Sequence, residues 1–170
     1  MNRWLVGGAV ALCALAFVPC ARADTKTLAQ AGAWKAFGGT TDSGRGVCGM
    51  SANVDDQYFG LKFCAGDDTF TIQVGTGKWK IDDRKKQQVV VLFDANAPWN
   101  ASGIGMHFSD GDAGIQFEIM QNELPKFMSQ FRGGKQMRLR FPSFAADWTF
   151  NLMGTNSIYD EFQGCVLKLK

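Results

Sequence analysis

The chain has 170 residues, of which 18 are basic and 16 acidic. Arg3 and Arg22 fall in an amino-terminal segment without acids, and the rest balances at 16 against 16. That balance excludes the clustered excess of Lys and Arg that marks a nucleic-acid binder. A chain of this size buries about 70% of its unfolded surface, so a single domain is sufficient.

Residues 1–23 read as a signal peptide. Arg3 gives a positive start, Trp4 to Val18 is almost wholly apolar, and Ala21-Arg22-Ala23 places small residues where a signal peptidase cuts. The apolar run, about 15 residues, falls short of the roughly 20 that a membrane helix needs. Cys20 follows Phe17-Val18-Pro19 and lacks the small preceding residue of a lipidation site. Cleavage is expected before Asp24, leaving residues 24–170 as one β-rich domain with no membrane span. A periplasmic or secreted location follows.

Residues 24–31 read as a flexible lead-in. From Trp34 onward the pattern alternates with period two, as in strands with one buried and one wet face. Phe59, Leu61 and Phe63 share a face, as do Phe70, Ile72 and Val74. Val89 to Phe93 is apolar on both faces and belongs at the interior of a sheet. Alternation returns in Ile104, Met106 and Phe108, and again in Ile115, Phe117 and Ile119. A helix capped by Asn122 then carries Pro125 in its first turn and Leu124, Phe127, Met128 and Phe131 on one side, ending at Gly133-Gly134. Met137, Leu139 and Phe141 form the next strand face, and Trp148, Phe150 and Leu152 another. A second helix starts near Thr155 and brings Ile158 and Phe162 toward Cys165. Gly66-Asp67-Asp68, Asp110-Gly111-Asp112 and Pro142-Ser143 supply turns between these runs. The expected fold is mainly β: a single-domain antiparallel β-sandwich or barrel with two short helices.

Cys48, Cys64 and Cys165 follow the leader, which allows one bridge and one free thiol. Cys48 with Cys165 is the preferred pair, because that loop is the longest and its closure contributes about 4 to 5 kcal/mol in the chain-entropy model. Exchange with Cys64 stays open. Cys64 alternates with Phe63, beside Tyr58 and Lys62, and reads as a small hydrophobe between sheets ahead of a reactive thiol.

Chemistry is sparse. His107 is the only histidine and the cysteines show no CxxC spacing, so no metal site is expected. An EF-hand loop counted from Asp110 would need Glu at its twelfth place, where Gln121 stands. Gly75-Thr76-Gly77-Lys78 leads into Trp79 and lacks phosphate-loop spacing. Gly103 and Gly105, inside a strand, mark close backbone approach. No cofactor is expected.

Binding is therefore the leading expectation, with a protein or envelope component as partner. Its candidate residues are Trp99 and Trp79, amphipathic rings near strand ends, and Arg138 and Arg140 on the polar face of one strand. The alternative is a small envelope-polymer hydrolase, with Glu118 or Glu123 and an Asp as paired carboxylates about 5 to 10 Å apart in one cleft.

Gly32-Ala33-Trp34, Val47-Cys48-Gly49-Met50, Phe131-Arg132-Gly133-Gly134-Lys135 and Leu152-Met153-Gly154, with Phe162 and Cys165, carry a likeness to a known group. In these marks the chain resembles the invasion-associated locus B family of exported bacterial envelope proteins. The resemblance implies a secreted or periplasmic β-sandwich, associated in some members with entry into host cells and without an established catalytic site. It transfers no functional residues.

Overall fold

A computed structural model describes residues 24–169, so the proposed signal peptide lies outside the described residues. Ten strands form one antiparallel sheet: β1 (Asp24–Ala31), β2 (Trp34–Thr40), β3 (Gly46–Val54), β4 (Gln57–Cys64), β5 (Thr69–Thr76), β6 (Lys86–Phe93), β7 (Trp99–His107), β8 (Ala113–Met120), β9 (Gln136–Phe141) and β10 (Ala146–Asn151). Their order across the sheet is β1-β2-β3-β4-β5-β8-β7-β6-β9-β10. Helix α1 (Leu124–Gly133) follows β8, and α2 (Thr155–Leu169) follows β10.

Alternation decides which face is buried. Phe59, Leu61, Phe70, Ile72, Ile115, Phe117, Leu139 and Phe150 all lie on the inner face, each almost wholly shielded. The sheet folds over so that its two halves meet across this core. Trp34 of β2 lies 6.1 Å, centroid to centroid, from Phe150 of β10, and Phe59 of β4 lies 6.0 Å from the same ring. The helices fill the space between: Phe131 of α1 meets Trp34 edge-on at 4.9 Å, and Phe162 of α2 meets Phe70 at 6.4 Å. The result is the mainly β, sandwich-like fold with two helices that the pattern predicts.

Cys48 and Cys165 form a disulfide that ties α2 to β3. Cys64 is free. Cys48 pairs with Phe63 on the inner face, so Cys64, one residue on, points out of the opposite face. Exchange between that bridge and Cys64 would have to cross the sheet.

Val89–Phe93 is interior, since β6 pairs with β7 on one side and β9 on the other. Three expectations about the strands and helices need correction. Residues 24–31 are a strand, β1, paired with β2 from Asp24↔Thr40 to Ala31↔Trp34 with a bulge between Thr27 and Ala29. It is an edge strand with mostly exposed side chains, so no apolar alternation announces it. In β7 the face is reversed: Ile104 is 42% exposed and Gly103 and Gly105 point inward. A Cβ on Gly103 would come within 2.6 Å of the Ile115 side chain, and one on Gly105 would collide with the main-chain oxygen of Asp82. The close approach expected of these glycines is what turns the apolar residues outward. Finally, α1 is capped by Glu123 and not Asn122, with no side-chain cap bond; Pro125 holds the first turn instead.

Candidate functional site

The four residues singled out by type do not converge. Trp99, half-buried at the start of β7, donates its indole N–H to Gln130 Oε1 at 2.6 Å and stands edge-on to Phe127 at 5.6 Å, so it is fastened to α1. Trp79 stacks on Trp148 at 4.6 Å and on Phe144 at 5.2 Å, an aromatic cluster at the end of β9 and β10. Arg138 and Arg140 share the exposed face of β9, opposite Leu92 and Val90 of β6. Arg140 reaches Asp147 at 3.3 Å across to β10. Each ring has a packing partner, and the arginine pair faces away from both.

An open concavity lies on the outer face of the other half of the sheet. Strands β1 to β5 and β8 enclose an open groove of about 900 Å³. Its floor follows from register. On β4, Tyr58, Gly60, Lys62 and Cys64 point outward, because Phe59, Leu61 and Phe63 point in. Lys62 is opposite Gly49 of β3 and Thr71 of β5, and Thr71 is opposite Glu118 of β8. Gly60 is opposite Gln73, and Gln73 is opposite Gln116.

Glycine on this face makes room for aromatic rings. A Cβ on Gly49 would strike the tip of the Phe37 ring, and one on Gly60 would strike the Tyr58 ring. The rings therefore lie over bare backbone, one beside Lys62 on β3 and one two residues before it on β4. Phe108 covers Gly75 and Gly114 in the same way and meets Tyr58 edge-on at 5.3 Å.

Lys62 Nζ donates to Gln73 Oε1 at 2.5 Å, and Gln73 Nε2 donates to Gln116 Oε1 at 3.0 Å. Lysine can only donate, so the Gln73 oxygen must face it and the Gln73 amino group must face Gln116. The chain of bonds thus runs in one direction. Burial lowers the Lys62 pKa from the ordinary lysine value. Its ammonium has no carboxylate partner among the described residues. Burial also pushes the Tyr58 phenol up to about 12, so it stays a neutral donor.

At one end of the groove Arg45 and Asp67 are paired at 2.5 Å, and Asp67 raises the pKa of the guanidinium. Cys64 sits on the groove wall, half-buried, and not between sheets as expected. Burial raises its pKa, which keeps it a thiol and opposes nucleophilic use.

The hydrolase alternative requires paired carboxylates in a cleft. Glu118 is exposed on the face of β8, with Thr71 between it and Lys62, and lines the groove together with Asp42, Asp67 and Asp68, of which Asp67 is paired with Arg45. Glu123 lies at the start of α1, outside the groove lining. His107, exposed on β7, bonds Asp83 at 2.7 Å. Among the described residues no group of three or more His, Cys, Asp or Glu could hold a metal ion. No helix there is long and apolar enough to cross a membrane.

No family model, curated protein or solved structure matches this chain. The residue types missed the groove because its floor is polar: Lys62, Gln73 and Gln116 each read as a solvated strand position. Outward-facing glycines beside outward-facing aromatics were the available signal.

Proposed function

We propose that the chain is an exported protein of the bacterial envelope or its exterior that works by binding, and that the groove around Lys62 is its ligand surface. The observation that carries the site is the Lys62 ammonium, half-buried on the groove floor with no salt-bridge partner among the described residues. The neutral Gln73 oxygen is the one acceptor that meets this half-buried cation among the described residues, and it brings no counter-charge, so a partner that supplies an anion gains more there than at an exposed lysine. The export reading is supported by the leader-like residues 1–23 and by the Cys48–Cys165 bridge, which persists in oxidising compartments. It is supported also by the resemblance to the invasion-associated locus B family.

The test is retention of envelope material on the immobilised protein, comparing wild type with Lys62→Met and Trp99→Phe. Recovery lost with Lys62→Met and kept with Trp99→Phe is the expected result. Equal recovery on wild type and Lys62→Met would remove the groove from the account. For export, the mass of the protein recovered from periplasm and medium should begin at Asp24; uncleaved chain confined to the cytoplasm would contradict it.

A further inference from the structure

Lys62, Gln73 and Gln116 form one row of hydrogen bonds on the groove floor. Along Lys62, Gln73 and Gln116 both side-chain oxygens are already engaged by donors of the same chain. What is left over is hydrogen: two N–H of the Lys62 ammonium, one of the Gln73 amide and both of the Gln116 amide. A row with five N–H groups to offer, two of them on a cation, and with each amide oxygen already holding one donor, is complementary to an oxyanion. Glu118 and the Thr71 hydroxyl, in the same row beyond Lys62, add acceptors on one side only.

The second observation is the pair of flat rings. Phe37 lies over Gly49, the cross-strand neighbour of Lys62, and Tyr58 lies over Gly60, two residues before it. Both rings are half-buried and line the groove. Successive outward residues on one strand are about 7 Å apart and neighbouring strands about 4.8 Å apart. A six-membered ring laid on Phe37 or Tyr58 therefore brings a substituent to Lys62. Hydroxyls from Thr25, Thr27 and Thr71 line the surrounding walls.

Resting on the binding reading above, we propose that the groove binds a carboxylate-bearing sugar, a hexuronic acid unit. Its carboxylate lies on the Lys62 and Gln116 donors, its ring on the aromatic floor, and its hydroxyls reach Thr71 and Glu118. The charged groups around this position are Lys35 of β2, Cys64 of β4, Glu118 of β8, and Asp42, Arg45, Asp67 and Asp68 of the neighbouring turns. Arg45 and Asp67 neutralise each other. Lys35 is an exposed cation on β2, and Lys62 is the half-buried one on the floor.

Calorimetric titration of the purified protein with a glucuronic acid disaccharide, the matching glucose disaccharide, and acetate tests this. The uronate is expected to bind, with the neutral sugar and acetate each at least about tenfold weaker, since each lacks one half of the match. Lys62→Met and Gln116→Leu, both checked for a native near-ultraviolet circular dichroism spectrum, are expected to lose uronate binding by about tenfold or more. Phe37→Leu should weaken the uronate and leave acetate unchanged. Equal binding of neutral and acidic sugars, equal binding of acetate and uronate, or an unaffected Lys62→Met would overturn the proposal. Absence of uronate binding alongside Lys62-dependent retention of envelope material overturns the sugar-acid assignment and leaves the groove standing. Loss of both overturns the groove itself.

Discussion

The indole N–H of Trp34 donates to the main-chain oxygen of Asn151 at 2.8 Å, joining β2 to the end of β10 across 117 residues of sequence. These strands are not neighbours in the sheet, so the bond fastens one half of the folded-over sheet to the other. Trp34 is fully buried and also touches Phe59, Phe131 and Phe150. Trp34→Phe is expected to cost about 1 to 3 kcal/mol through the lost bond, and Trp34→Ala about 3 to 5 kcal/mol through the cavity. Urea unfolding measures both, and a Trp34→Phe variant as stable as wild type would contradict this role.

The Cys48–Cys165 bridge holds α2 on β3 and closes a loop of sequence separation 117. Replacing both cysteines by Ser should cost about 3 to 5 kcal/mol, because the unfolded chain regains its freedom. Thermal unfolding with and without reductant should show wild type falling to the level of the double variant. An unchanged midpoint on reduction would count against it.

Cys64 should behave as a sluggish thiol. Burial raises its pKa above the 9.0 of an ordinary cysteine. Its thiolate, the reactive form, is therefore scarcer at neutral pH in the folded chain than in the unfolded one. Alkylation followed by mass spectrometry should be slower in buffer than in denaturant at the same pH, and should accelerate as pH rises past 9.0. Equal rates would place Cys64 outside the groove wall.

The two glycines of the groove floor should respond differently to a methyl group. At Gly49 a Cβ meets the Phe37 ring and, at 2.6 Å, the main-chain oxygen of Leu61, which cannot move aside. At Gly60 the three nearest atoms all belong to the Tyr58 side chain, which can swing away. Gly49→Ala is expected to cost about 1 to 3 kcal/mol and Gly60→Ala less than about 1 kcal/mol. Denaturant midpoints give the order directly, and the reverse order would show that the rings do not lie over these residues.

Sequence periodicity reveals the buried face wherever large side chains mark it, as at Phe59-Leu61-Phe63 and Met137-Leu139-Phe141. It misleads in β7, where glycines hold the inward positions and Ile104 is the conspicuous residue. It is silent at β1, whose backbone pairs with β2 while its side chains stay mostly wet. Residue type likewise picks out Trp99 and Arg140, yet Gln130 and Asp147, the groups that occupy them, become neighbours only through folding. The groove stays hidden for a related reason. Lys62, Gln73 and Gln116 come from three strands, and only register sets them side by side.

The Lys62 ammonium is the centre of this account, and its titration tests it most directly. Because its folded pKa lies below the unfolded value, burying the charge destabilises the fold at neutral pH, and the penalty fades as pH rises through the lowered pKa. Following the Lys62 side-chain ¹³Cε resonance against pH should give a midpoint below the ordinary lysine value of 10.5, moving upward when the glucuronic acid disaccharide is added. A midpoint at or above 10.5 that the disaccharide leaves unmoved would mean a solvated lysine with no ligand to meet, and the groove would lose its function.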